Sequence, residues 1–173
     1  MFHPDLIAAK SIIGANPFPA TVRSRSYIER KGQLIDVTEY RGLRRLLLTG
    51  EPTFVFNQER KNLVFRQALN VRGRQVVTKL TMQFALDAAA PDVFLRAFWP
   101  RNDMVQATTG LLIPALSAHV RTAIADNLAF VDVSRVRYNV PIKNAGRHAQ
   151  LAEVCRSKGL RLYHDELVIQ LVH

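Results

Sequence analysis

The side chains with chemical potential in this sequence are few and scattered. Its five histidines are His3, His119, His148, His164 and His173, and none has a second one at the i, i+4 spacing that places two imidazoles on one metal. His164-Asp165-Glu166 is the densest polar trio. Its plain reading is a solvated turn at an irregularity in a strand, and metal or acid–base chemistry is the sharper alternative. The single thiol, Cys155, has Arg156 and Lys158 beside it, which would favour a thiolate. It falls at the C-terminus of an expected helix, however, where the helix dipole opposes a negative charge. Its place on the apolar face with Ala152 makes it a packed core thiol. The eight glycines fit neither phosphate-binding spacing, there is no Gly-x-Ser-x-Gly elbow, and no pair of carboxylates stands out. The sequence therefore points to a non-enzyme, with no catalytic residue, cofactor, metal or small-molecule substrate.

What the sequence does offer is positive charge. Over 173 residues the formal charge is +10, and the excess lies mainly in the first half. Residues 1–90 carry 14 Lys and Arg against 7 Asp and Glu, whereas residues 91–173 carry 10 against 7. A basic surface attracts nucleic acid, anionic lipid or acidic proteins without choosing among them. The candidate contacts with an anionic partner are Arg23, Arg25, Arg41, Arg44, Arg45, Arg72 and Arg74. The plain reading of Arg41, Arg44 and Arg45 is a solvated basic edge that discourages strand-to-strand aggregation. A nucleic-acid platform is a further reading, because Phe54, Phe56 and Phe65 interleave with Arg60, Lys61 and Arg66.

The elements that must position these residues read as an α+β chain. Leu34–Val37, Leu43–Leu48, Thr53–Phe56 and Leu63–Phe65 are short apolar runs divided by turn residues, which predicts an N-terminal antiparallel meander. A central strand follows. Leu80, Met82, Phe84 and Leu86 alternate with Thr81, Gln83, Ala85 and Asp87, the period of a half-buried strand. Pro91-Asp92 then starts a helix. A second helical stretch is expected from an Asn102-Asp103 cap through Ile124, with a kink at Pro114 and a break over Asn127–Asp132. A third runs from about Pro141 through Ala145, Ala149, Ala152 and Cys155, and Lys158-Gly159 ends it. The C-terminal strand, from Leu160, changes parity across His164-Asp165-Glu166, which predicts a bulge, a bend or two pieces. Trp99 reads as a core or interface anchor.

Residues 1–25 read as an N-terminal arm and residues 26–173 as a single domain. In the arm, Leu6–Ile13 predicts a short helix and Asn16-Pro17-Phe18-Pro19 an extended linker. The apolar run is too short to span a bilayer, which needs about 20 residues. Arg23-Ser24-Arg25-Ser26 has the basic, hydroxylated composition of an organellar targeting segment, against which Asp5 and the two prolines weigh.

In this order the chain resembles the domain shared by stomatin, prohibitin and flotillin, the SPFH domain. Gln75-Val76-Val77-Thr78-Lys79 and the strand to Leu86 resemble the family's entry strand, and Ala90-Pro91-Asp92-Val93-Phe94-Leu95 its break into a helix. Val120-Arg121-Thr122-Ala123-Ile124 is similar to its Leu-Arg-x-x-Ile helix, and Lys158-Gly159-Leu160-Arg161-Leu162 to its helix–Gly–strand ending. Leu80 departs from the family, which usually has Asp there. The resemblance covers about residues 27–173 and implies a divergent member with an SPFH-like α+β fold. It implies a non-enzymatic scaffold in a membrane-associated complex, a mitochondrial one included, touching anionic lipid, other subunits and its own copies. The alternative is a basic structural subunit of a large organellar assembly, a ribosome or respiratory complex, contacting RNA or acidic proteins.

Overall fold

The alternating run that ends at Leu86 is a strand in the structure, a computed structural model. It describes residues 6–12, 16–31, 33–48, 51–71, 73–98, 104–106, 112–127, 140–142 and 145–171. Arg72, Trp99, Leu111, His3, His173, the Asn102-Asp103 cap and the break over 128–132 lie outside the described residues. The fold is α+β, and the chain divides into two compact units. The first comprises residues 1–61, 85–107 and 157–160, and the second residues 62–84, 108–156 and 161–173.

The first unit holds a five-stranded sheet built from β1 (Leu6–Ile12), β2 (Ser24–Arg30), β3 (Gln33–Asp36), β4 (Pro52–Asn57) and β7 (Met104–Gln106), in the order β3-β2-β4-β1-β7. Every pairing in it is antiparallel. The helix expected over Leu6–Ile13 is therefore a strand, with Ala8 opposite Phe56 and Ala9 opposite Val55. Ile7, Ala8 and Ala9 are all buried, which a one-sided amphipathic helix would not achieve. Thr53–Asn57 are likewise buried without a break, because β4 lies inside the sheet and is covered on both faces. On one face Val55 packs with Ala9 and Phe18. Phe56 instead meets Tyr27 at 5.1 Å and Phe94 at 5.5 Å between ring centroids. Phe94 belongs to α2 (Pro91–Phe98), whose proline occupies the first turn, where no amide is needed.

The expected strand over Leu43–Leu48 is a helix, α1 (Gly42–Leu46). Gly42 takes φ +53°, and the Leu-Arg-Arg-Leu that follows consists of good helix formers.

In the second unit the strands β5 (Lys61–Val71), β6 (Arg74–Leu86), β9 (Leu160–Leu171) and β8 (Val140–Pro141) form a sheet in the order β5-β6-β9-β8. Leu80, Met82, Phe84 and Leu86 are all buried, so the period-2 reading of β6 holds. α3 (Ile113–Asn127) buries Leu116, Val120, Ala123 and Ile124 along one stripe. Pro114 lies in its first turn, so the expected kink is instead a helix start. Gln67 of β5 donates to the Ser117 hydroxyl of α3 at 2.8 Å.

α4 (Ala145–Arg156) starts later than expected, because Pro141 belongs to β8, where it pairs with Val168 of β9. A proline is tolerated there because β8 is an edge strand. The buried row of α4 is Arg147, Leu151 and Cys155, not the alanine stripe; Ala149 is exposed and Ala152 half-buried. β9 is one continuous strand across the parity change.

Candidate functional site

The candidate arginines separate by unit. Arg23, Arg25, Arg41, Arg44 and Arg45 fall in the first and Arg74 in the second, while Arg72 lies outside the described residues. Arg74 opens β6 and Arg45 lies within α1. Arg25 is occupied by an ion pair with Asp36 at 3.3 Å, and Arg23 is exposed. Arg41 and Arg44 flank Gly42 and are both exposed. Neither forms an ion pair among the described residues, and the Arg44 guanidinium lies 5.9 Å from the centroid of the Tyr40 ring. Within the first unit, Arg41, Arg44 and Arg45 thus fall at one short helix, while Arg25 lies on β2 and Arg23 just before it.

The same helix and the residue after it carry the most exposed large apolar side chains among those described. Leu43, Leu46 and Leu47 are 76%, 73% and 75% exposed. Their i, i+3, i+4 spacing puts them on one face, and the Leu47 amide donates to the Leu43 carbonyl at 3.0 Å. In most helices this face is the buried one. Here it faces solvent while both ends are tied down. Leu48 forms an apolar cluster with Ile28 and Val37, and Tyr40 and Ile35 pack against that cluster. The Tyr40 amide donates to the Val37 carbonyl, and the Glu51 amide to the Leu48 carbonyl, both at 3.1 Å. Arg30 pairs with Glu51 at 2.7 Å. Residues 41–47 therefore form a basic and apolar knob held between two anchors in one core.

A second cluster, in the other unit, escaped the sequence reading. Asp165 is not in a solvated turn: its side chain is 1% exposed, within β9. One carboxylate oxygen accepts from Nη1 of Arg147, and the other lies 2.5 Å from Nδ1 of His148. The Arg147 side chain is itself only 10% exposed, whereas that of His148 is 56% exposed. Cys155 is fully buried, as expected of a core thiol. Burial above all, and then the charge of Asp165, push its thiol up to about 12. Both effects disfavour the thiolate at neutral pH. The arrangement makes Asp165 the tie between β9 and α4.

His119 of α3 completes this cluster and carries a pH dependence. It is buried, its Nε2 has no hydrogen-bond partner, and burial lowers its pKa from 6.5. The Arg147 charge lowers it further, and Asp165 acts in the opposite direction. On acidification the unfolded chain binds this proton before the folded one does. Stability is therefore complete above pH 6.5 and declines below it. One proton bounds the slope at about 1.4 kcal/mol per pH unit. Urea midpoints measured from pH 7.5 to 5 should fall in the native protein and fall less steeply in His119→Gln. Parallel profiles would remove His119 as the source.

The proposed aromatic platform for nucleic acid fails at two of its three rings. Phe54 and Phe56 are buried in the first unit's core, and Phe65 is half-buried. Among the described residues no group of three metal-binding side chains converges, and no helix is long and apolar enough to cross a membrane. Compared with family models, curated proteins and solved structures, the chain matches none of them.

Proposed function

We propose that this chain is a non-enzymatic scaffold or assembly subunit of a membrane-associated complex, comparable in role to stomatin- and prohibitin-type domains. The observation that carries this reading is the pair of exposed arginines Arg41, just before α1, and Arg44, within it, with no carboxylate partner among the described residues. Each cation near an anionic bilayer contributes about 1 kcal/mol of attraction, screened by salt. The general excess of charge, +10 over the chain, acts in the same direction. Other subunits, including further copies of the chain, are the protein partners of this reading.

Cosedimentation with vesicles tests it. The native protein should bind phosphatidylserine-containing vesicles, release them as salt rises, and ignore pure phosphatidylcholine. The Arg41→Glu/Arg44→Glu variant should bind about tenfold or more weakly. Failure to bind either vesicle, combined with RNA that stays on the protein through high-salt purification, would transfer the chain to the organellar-assembly alternative.

A further inference from the structure

The leucine face of α1 is not explained by charge. Arg41 and Arg44 alone would serve any polyanion, and a polyphosphate partner gains nothing from three leucines about three-quarters exposed. Exposed apolar side chains in one stripe mark a contact with another apolar phase. From the joint placement of Leu43, Leu46 and Leu47 with Arg41 and Arg44, we infer that residues 41–47, α1 with its flanking residues, are an insertion element for an anionic phospholipid bilayer: the leucines enter the acyl boundary while the guanidinium groups stay at the phosphate level. This rests on the membrane reading above and names the part of the chain that enters the lipid.

The chemistry of the knob favours a bilayer over a second copy of the chain. Two α1 stripes packed face to face would bring Arg41 and Arg44 of both copies near each other. Stable protein interfaces bury about 1,200–2,000 Å², far more than two sets of three leucines can offer. A bilayer accepts both halves of the knob at once. Arginine stems lie along apolar surface while their heads remain at phosphate, and an apolar helix face sinks about 5–10 Å into the headgroup boundary. Tyr40, with the Arg44 guanidinium 5.9 Å from its ring centroid, lies at the base of the knob, and tyrosine is a residue type enriched at membrane interfaces. The two anchors, Tyr40 and Leu48, hold this face outward before any lipid arrives, so little ordering remains to be done on binding.

The test uses the full chain with an environment-sensitive fluorophore at position 47, introduced through L47C. The native Cys155 is fully buried and its thiol is pushed up to about 12, so a maleimide reagent marks position 47. On phosphatidylserine-containing vesicles, the emission should rise severalfold, shift to the blue and be quenched by lipids brominated on their acyl chains. The Leu43→Glu/Leu47→Glu variant should lose affinity for the same vesicles about tenfold or more. Its urea midpoint should match the native one, because both side chains are already in water. Retained vesicle binding with an aqueous label and an unaffected glutamate variant would overturn insertion and leave the membrane reading standing. Absence of binding by the native protein to every vesicle would overturn both. A glutamate variant that dissociates an oligomer while binding vesicles normally would assign the stripe to a contact between copies and overturn insertion.

Discussion

Gly159→Ala should destabilise the protein by about 2–4 kcal/mol, the sum of two separable effects. Gly159 holds φ +69°, a left-handed conformation that costs an alanine about 1 kcal/mol. The added methyl would also lie 2.4 Å from the amide nitrogen of Phe94 and 2.8 Å from its Cα. Both are backbone atoms of a helix that cannot swing aside like a side chain. Phe94 is fully buried, with its ring 4.7 Å from that of Phe98, so moving it disturbs the core around Phe56. Overpacking of this kind costs about 1–3 kcal/mol. The Gly159 carbonyl also accepts from the Asp87 amide at 2.9 Å, a bond that depends on the same close approach. Gly73 supplies the control: its φ is +79°, but an added methyl there meets nothing within 4 Å. Gly73→Ala should therefore show only the backbone effect, about 1 kcal/mol. Urea unfolding of both variants measures the difference, and equal midpoints would mean that Phe94 yields to the methyl.

Gly159 was legible as the end of a helix from Lys158-Gly159, but its second role, making room for the Phe94 backbone, has no signature in a local window. The same boundary applies elsewhere. The reading of β6 held because its alternation is fixed by the pleat and its inward residues from Leu80 to Leu86 are all apolar. α2 was legible because Pro91 and Asp92 are start signals with local causes. β1 was not, because an apolar run of this length suits a buried strand as well as a helix turn. Its pairing with β4 and β7 is a long-range event.

The candidate contact was half legible. Its arginines stood out by type, whereas Leu43–Leu48 read as a strand, from its length and the Gly50 after it, in which Leu46, Leu47 and Leu48 would be buried. Only Leu48 is. The three leucines that matter to the knob have helical spacing, 43, 46 and 47, and that spacing was the available signal. In α4 the opposite error arose. Hydrophobicity points to the alanine stripe as the inner face, whereas the true inner row begins with an arginine, which no hydrophobicity pattern would bury. Arg147 can be buried only because Asp165, 18 positions later, neutralises it.

That pairing sets the second large expectation: Asp165→Asn should cost about 3–5 kcal/mol, the range for breaking a buried ion pair on one side. An amide has nearly the same shape, so packing is preserved and the loss is electrostatic. The Arg147 guanidinium would remain 10% exposed with no counter-charge, and its Nε already lacks a partner. The Asn oxygen can still accept from Arg147 and its amide can donate to Nδ1 of the other His148 tautomer, so what is lost is the negative charge. His148→Ala tests the hierarchy. The histidine is more than half exposed, so losing it should cost about 1 kcal/mol or less. If the penalty of Asp165→Asn comes from the stranded cation, removing the cation should recover most of it. Arg147→Leu/Asp165→Leu should then be more stable than Asp165→Asn, because an apolar pair needs no compensation in that site. Denaturation of the three variants against the native chain decides between a buried charge pair and an ordinary surface contact. Under the latter, Asp165→Asn and His148→Ala would differ from the native protein by similar small amounts.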